Sequence, residues 1–412
     1  MRFIHTADWH IGQTLAGYDR AGEHEAVLAE LVGHVARLKP DAFLISGDVF
    51  DHHNPSGASL RLFYETLLAL HRAAPDMTTV VTAGNHDAAG RLESARALLA
   101  TMNIHVVGNV HRTTAGVDPR NHLVMLRDAK GQPAANVLAV SYPTASCLPP
   151  FASLESVEGQ SPIVAATRTL YRELVDATGA TQSPLPLVVM GHLHVAGGTE
   201  SEGAERRILV GGQHAVGPDV FPPAAYVALG HLHKAQQVGA PNIRYSGSLL
   251  PLSAAELGYA HGIALVTIDG GAASVEHIAL MRPVRFERIP ARGDIAFADL
   301  QSALAALAVP ANAAQGTWPF AQVNLSRQAL PPGYRADADR LAETHRVRIV
   351  DLRVARPPES ADAKIANTNA RLAELDPEEL FAGAFEKAHA RAPEQAHRDA
   401  FHALIAATGE EA

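Results

Sequence analysis

One cysteine, Cys147, stands among 412 residues. No disulfide can therefore close within the chain, and a stapled secreted scaffold is excluded. No stretch approaches the roughly 18 unbroken apolar residues that a membrane helix requires. The N-terminal MRFIHTADWH has no basic region followed by an apolar run. Low-complexity tracts and solenoid-type repeats are missing as well. Positive charge is also scarce. The net charge of −9 argues against a simple basic protein that coats nucleic acid. What is present is the composition of a globular protein, 47% hydrophobic and 19% charged. The length suits two or three domains with a real core. The first candidate ligand is already at Asp8, so removal of a leader would remove the site. A cytoplasmic, reducing location is expected.

The charge is unevenly spread. Residues 281–356 hold 11 arginines against 7 acids, a balance of +4. Residues 357–412 stand at −6 and residues 1–280 at −7. A mildly basic segment thus lies between two acidic ones.

The first 110 residues alternate strand and helix patterns. Strands are predicted at Arg2–Thr6, Ala42–Ser46, Thr78–Thr82 and Ile104–Val107. Residues 23–38 place Val27, Leu28, Leu31, Val32, Val35 and Leu38 at helical spacing. Residues 59–72 and 90–102 read as further helices. This βαβαβαβ order implies a parallel sheet flanked by helices. More strands are expected at 137–141, 185–190, 225–229, 243–246, 263–268 and 274–279, with Gly- and Pro-bearing loops between them. The main unit is expected to be residues 1–280. Residues 281–356 read as a small mixed domain, with strands at 321–325 and 347–352. Residues 357–412 read as a linker followed by a tail. There, Asp376-Pro377-Glu378-Glu379 opens a helix with an apolar face of Leu380, Phe381, Ala384 and Phe385. A second short helix would present Phe401, Leu404 and Ile405.

Five short clusters carry candidate chemistry: Asp8-Trp9-His10, Gly47-Asp48-Val49-Phe50-Asp51, Gly84-Asn85-His86-Asp87, Gly191-His192 and Gly230-His231-Leu232-His233. Each follows a strand candidate. In open α/β sheets, ligands bind beyond the carboxyl ends of strands, so the five can converge. Asp8 and His10 are two apart, which puts their side chains on one side of an extended segment, and His231 and His233 repeat the spacing. A set of carboxylate, amide and imidazole donors suits manganese, iron or zinc better than a pure magnesium site. Two ions roughly 3.5–4 Å apart can clamp the attacking and leaving oxygens of a phosphoryl displacement. Asp48 is the best placed carboxylate to bridge them. His86 can face the phosphate or leaving oxygen. Asp87 can orient His86 from behind. Asp51 reads equally as such a supporting residue or as a turn residue.

These motifs, in this order, resemble the calcineurin-like metallophosphoesterase superfamily. Within it the chain is similar to the SbcD family of bacterial nuclease subunits. Thr6-Ala7-Asp8-Trp9-His10-Ile11-Gly12-Gln13, Arg244-Tyr245-Ser246-Gly247-Ser248 and Pro251-Leu252-Ser253 carry that likeness. It covers residues 1–260 strongly and the rest mainly in layout.

The resemblance implies a metallophosphoesterase β-sandwich flanked by helices, with a small α+β capping domain and a helical tail. It implies two divalent ions, expected to be manganese. One would be held by Asp8, His10, Asp48 and His233, the other by Asp48, Asn85, His192 and His231, with His86 as the catalytic histidine. It further implies 3′ to 5′ exonuclease action on DNA duplex ends and endonuclease action on single strands or hairpins, in DNA repair and recombination. The expected partners are DNA, a second copy of the chain paired through helices of the nuclease domain, and an SbcC-type ATPase in a heterotetramer, docked through the tail. The rival reading is a phosphoesterase for a non-DNA substrate.

Several residues have plainer readings. Gly-His-Leu-His occurs at 191–194 and again at 230–233. The paired ligands belong to the second copy, which leaves His194 without a role. His24, His34 and His71 lie on helix patterns and are expected at the surface. His52 and His53 read as exposed loop residues. Trp9 either stacks on a base or supports the core. Cys147 is expected to be inert.

Overall fold

The computed structural model describes residues 1–113, 116–150, 161–201 and 215–355, together with 381, 385, 391, 393–395, 397 and 398. The chain divides into two compact units, Met1–Val354 and Ala355–Ala412. Most of the tail, including its expected helix start at 376–379 and the helix at 401–405, lies outside the described residues.

The first unit opens with β1 (Arg2–Thr6), α1 (Ala21–Leu38), β2 (Ala42–Ser46), α2 (Gly57–Ala73), β3 (Thr78–Thr82), α3 (Ala89–Glu93), α4 (Arg96–Ala100) and β4 (Ile104–Val107). A short hairpin, β5 (Arg112–Thr113) and β6 (Gly116–Val117), leads to β7 (Leu123–Arg127), β8 (Pro133–Ala139), α5 (Pro162–Thr178), β9 (Leu187–His192) and β10 (Tyr226–Gly230). Then follow β11 (Gln236–Val238), β12 (Ala240–Tyr245), β13 (Gly262–Asp269) and β14 (Ala272–Ala279). The last stretch is β15 (Phe286–Ile289), α6 (Leu300–Ala305), β16 (Phe320–Leu325), α7 (Tyr334–Thr344) and β17 (Arg348–Val354).

Two six-stranded sheets result, ordered β14-β13-β1-β2-β3-β4 and β11-β12-β10-β9-β8-β7. The middle of each is parallel: β1, β2, β3 and β4 in one, β8, β9, β10 and β12 in the other. Both faces of such strands are buried, which is why β2 and β3 read as nearly unbroken apolar or β-branched runs. Alternation sorts those residues by layer. Phe3, Leu44 and Val80 join Val137, Val188, Met190 and Ala228 in the core between the sheets. Ile4, Phe43, Ile45 and Val81 face outward onto Val27, Leu28, Leu31 and Val35 of α1 and Phe63, Leu67 and Leu70 of α2. Each such fully buried aliphatic side chain stabilises the packing by about 1.5–3 kcal/mol. On the opposite outer face, Leu170, Tyr171 and Leu174 of α5 cover Val189, Val227 and Leu229. The fold is therefore a β-sandwich flanked by helices, as expected. Beside it, a parallel three-stranded sheet of β15, β16 and β17 carries its own core.

Several local expectations change. Residues 90–102 form two short helices, α3 and α4, not one. The break falls at Ser94–Ala95, just after Glu93, whose carboxylate accepts hydrogen bonds from the backbone N–H groups of Gly108 and Asn109 at 2.8 and 3.2 Å. His24 and His34 are buried, not at the surface. His24 joins the first helix to the first loop, with Nε2 3.2 Å from the carbonyl of Trp9. The strand β7 and the helices α5, α6 and α7 add to the predicted elements.

Candidate metal centre

The five clusters meet on one rim of the sandwich, at the carboxyl ends of strands from both sheets. Asp8, Asp48 and Asn85 follow β1, β2 and β3, while His192 ends β9 and His231 follows β10. The rim loops are laced together. The backbone N–H of Asp8 donates to Gly47, that of His10 to Asp48 and that of Ile11 to Val49, at 2.9–3.1 Å. Asp8, His10, Asp48 and His231 all take positive φ, at 53°, 45°, 48° and 104°. Such backbone costs about 1–3 kcal/mol per residue and persists only where the surroundings impose it. Gly47, at φ +86°, also needs its missing Cβ, because one built there would meet the His192 ring.

All seven residues expected to hold metal come together, all but Asn85 buried. Three groups offer ligand atoms within 4.8 Å of one another: Asp8, His10 and His233; His10, Asp48 and His86; Asp8, Asp48 and His192. Asp48 belongs to two of them. Its Oδ2 is 3.3 Å from His192 Nε2 and 3.6 Å from His10 Nε2. Asn85 Oδ1 approaches His192 Nε2 at 3.0 Å and His231 Nδ1 at 3.1 Å. The residues fit a cation on two counts. Among the described residues, buried His10 Nε2 has no hydrogen-bond partner, an expensive state for a polar atom. Two buried carboxylates also share the cavity. Burial pushes Asp8 up, opposed by His192 and His233 and reinforced by Asp48. Burial works against Asp48 too, but His192, His10 and His86 outweigh it and hold that carboxyl well below its usual range. His192 loses basicity to burial yet is raised to about 9 by Asp48 and Asp8. A cation would take over the charge compensation that protons otherwise supply.

The surrounding residues hold the rings in place. His10 Nδ1 donates to Asp51 at 3.1 Å, and His192 Nδ1 to the Ser46 carbonyl at 2.8 Å. His233 Nδ1 donates to Glu256 at 2.9 Å. Sequence reasoning missed Glu256, a lone glutamate with no motif around it; its partner lies 23 residues away. His86 sits with its ring 4.8 Å from that of His10, and its Nδ1 donates to the Asp51 carbonyl at 2.8 Å. Asp87 is engaged elsewhere. Its carboxylate accepts the N–H groups of Val49, Phe50 and Gly84 at 3.1, 2.9 and 2.9 Å, so it ties the second and third loops. Burial and nearby Asp48 raise Asp87 to about 6 against those three bonds.

Other singled-out residues also find their places. Trp9 is buried among Phe43 and Phe63 and donates from Nε1 to Thr6 at 2.9 Å, so it supports the core. His52 and His53 are exposed. His194 lies outside the three ligand groups. It is partly exposed, 3.4 Å from Glu200, with its ring 6.4 Å from that of His231. Cys147 is buried, and burial raises its thiol.

Comparison with known proteins agrees with this geometry. The calcineurin-like phosphoesterase family matches residues 1–235, and the type 5 capsule protein repressor C-terminal domain matches residues 282–389. The SbcD component of nuclease SbcCD from Rhodobacter capsulatus is 44% identical over 387 residues, 93% of this chain and 94% of that one. Its counterpart from Escherichia coli K12 is 34% identical over 301 residues, 72% of each chain. That from Bacillus subtilis is 36% identical over 279 residues, 66% of this chain and 67% of the other. With the sandwich, the shared Asp48 and these relatives in agreement, the chain belongs to the calcineurin-like phosphoesterase family, in its SbcD branch.

Proposed function

We propose that this chain is a manganese-dependent DNA nuclease that works with an SbcC-type ATPase. The observation that carries the reading is one buried rim where three groups of carboxylates and imidazoles interlock, two of them through Asp48. One position would be held by Asp8, His10, Asp48 and His233, the other by Asp48, Asn85, His192 and His231. When bound there, two divalent cations supply positive charge and Lewis acidity toward a phosphodiester.

The chain's own residues do the rest. Asp48 would lie between the two positions and keep them close. The Asp51 carbonyl holds the Nδ1 proton of His86. In that tautomer Nε2 is the nitrogen that gains and loses a proton, so His86 is suited to stabilise the phosphate or to protonate the leaving oxygen. Asp87 keeps the loops of Asp48 and His86 in register by holding backbone N–H groups in both.

The remaining assignments follow the same reading. Residues 1–280 form the nuclease domain. Residues 281–356 form a cap that touches DNA, supported by the exposed Arg292, Arg327 and Arg335. Residues 357–412 dock the ATPase, in a heterotetramer built on a homodimer of this chain. The test is digestion of an end-labelled DNA duplex with manganese, wild type beside His86→Gln, each with and without the ATPase and ATP. Digestion by wild type and a loss of at least about 100-fold in His86→Gln are expected. Equal digestion by both would remove His86 from the chemistry. No digestion under any condition would overturn the DNA substrate.

A further inference from the structure

The two positions of the rim differ in what stands behind their histidines. At the first, His10 Nδ1 donates to the Asp51 carboxylate and His233 Nδ1 to the Glu256 carboxylate. His10 Nε2 is thereby turned toward Asp48, 3.6 Å away, and among the described residues it is a buried atom with no hydrogen-bond partner, while His233 shares a ligand group with Asp8 and His10. At the second, His192 Nδ1 is held by a neutral carbonyl, that of Ser46. His231 presents Nδ1 itself to Asn85, and among the described residues no carboxylate pairs with its ring. The charged donors divide the same way. Asp8 and Asp48 both serve the first position, whereas Asp48 and the neutral amide of Asn85 serve the second.

Glu256 is built for this task. It is fully buried on the short 3₁₀ turn Ala254–Gly258. Its Oε2 accepts the N–H of Leu252 at 2.8 Å, which fixes the carboxylate while Oε1 holds His233. The turn is fastened in its own right. Ser253 caps its start, and His261 approaches the Glu256 carbonyl from Nε2 at 3.3 Å. A carboxylate behind an imidazole fixes the ring, selects the Nε2 donor and makes that nitrogen more basic.

We infer that the two positions are inequivalent, and that the one formed by Asp8, His10, Asp48 and His233 fills first and holds its ion more tightly, with Glu256 and Asp51 as its positioning residues. The inference rests on the two-metal reading of the site. The chain would then exist over a range of metal concentration with one ion bound. Its phosphoesterase activity would follow occupation of the weaker position, where His192 and His231 have no acid behind them.

The test is titration of the metal-stripped full chain with manganese, followed by calorimetry and by the electron paramagnetic resonance signal of free manganese. Two steps are expected in wild type, separated by about tenfold or more in affinity. Glu256→Gln should weaken the tighter step by about 10–100-fold and leave the weaker one within about twofold. Asp51→Asn should act in the same direction. Asp51 is partly exposed in a loop, so it keeps the proposal testable if Glu256→Gln does not fold, which circular dichroism would show. Glu256→Asp, which keeps the charge, should restore part of the loss. Two equal steps in wild type, or a uniform weakening of both by either variant, would overturn the inequivalence and leave the metal site standing. No stoichiometric binding at all would overturn the two-metal reading itself.

Discussion

Replacing Gly47 by alanine tests the way the rim is assembled. Gly47 is at φ +86°, and a Cβ built on it would lie 2.7 Å from His192 Cγ and 2.9 Å from Gly84 Cα. Two penalties follow. The left-handed backbone costs an L-residue about 1–2 kcal/mol. Crowding into a filled space costs about 1–3 kcal/mol more, because neither the Gly84 backbone nor the His192 ring, pinned to Ser46, can swing away. The sum is about 2–5 kcal/mol. For a body of this size that lowers the melting temperature by roughly 3–7 °C. The damage falls on the site as well as on the fold, since His192 must move. The assay is thermal unfolding with chelator and with saturating manganese. An ion at 100 times its dissociation constant stabilises the folded chain by about 2.7 kcal/mol. Wild type should gain that and Gly47→Ala markedly less. Gly47→Asn relieves part of the backbone strain but keeps the Cβ, so its manganese response should stay low while its melting temperature partly recovers. An alanine variant that melts within a degree of wild type and keeps the full manganese shift would refute the reasoning.

Three further outcomes are expected. Trp9→Ala removes a buried ring and its bond to Thr6 from between two metal-site residues, so it should cost about 3–5 kcal/mol in denaturant unfolding and also weaken manganese binding; a loss of DNA binding alone, with unchanged stability, would argue for stacking on a base instead. Burial lowers His24 to about 4, with Arg20 beside it adding to the effect. Between pH 6.5 and 4 the unfolded chain therefore holds a proton that the folded one does not. Stability is complete above pH 6.5 and falls with acidity, by about 2 kcal/mol at pH 5 from this group; in denaturant titrations at pH 7.5 and 5, His24→Gln should lose correspondingly less than wild type. His194→Gln should leave both manganese steps within about twofold in calorimetry, because that ring pairs with Glu200 and lies outside the ligand groups; loss of one step would make it a ligand.

Much of the first sheet was legible because each strand is short, apolar and closed by a motif. β1, β2, β3 and β4 begin and end where the sequence pattern places them. The ligand clusters stood out for the same reason: polar residues with glycines, set directly after buried strands. What escaped was decided by distant partners. Glu256 reads as an ordinary acid until His233 is placed against it. His24 sits on a helix pattern, yet the carbonyl of Trp9 draws it inward. The helix α5 buries Ala166 and Thr167 beside Leu170, a stripe too weakly apolar to stand out. Its Pro162 at the start and left-handed Gly179 at the end were nonetheless readable as helix signals. The strand β7 alternates with Met125 exposed and, among the described residues, pairs only with β8, so its apolar signal is diluted.

The rim joins loops from both sheets, and that has a consequence for how the chain is made. The candidate carboxylates and amide, Asp8, Asp48 and Asn85, all lie on the N-terminal side of β4. The histidines that would complete both positions, His192, His231 and His233, come much later. The Asp8 carboxylate already accepts the backbone N–H of His231 across 223 residues of chain. A nascent chain cut off before β9 would carry Asp8 and Asp48 but only half a cage. On that ligand set, ion capture would be a late event that waits until the second sheet has closed on the first. An ion held there would act as a clasp between the two halves of the sandwich: pulling the sheets apart and releasing the ion would become the same step.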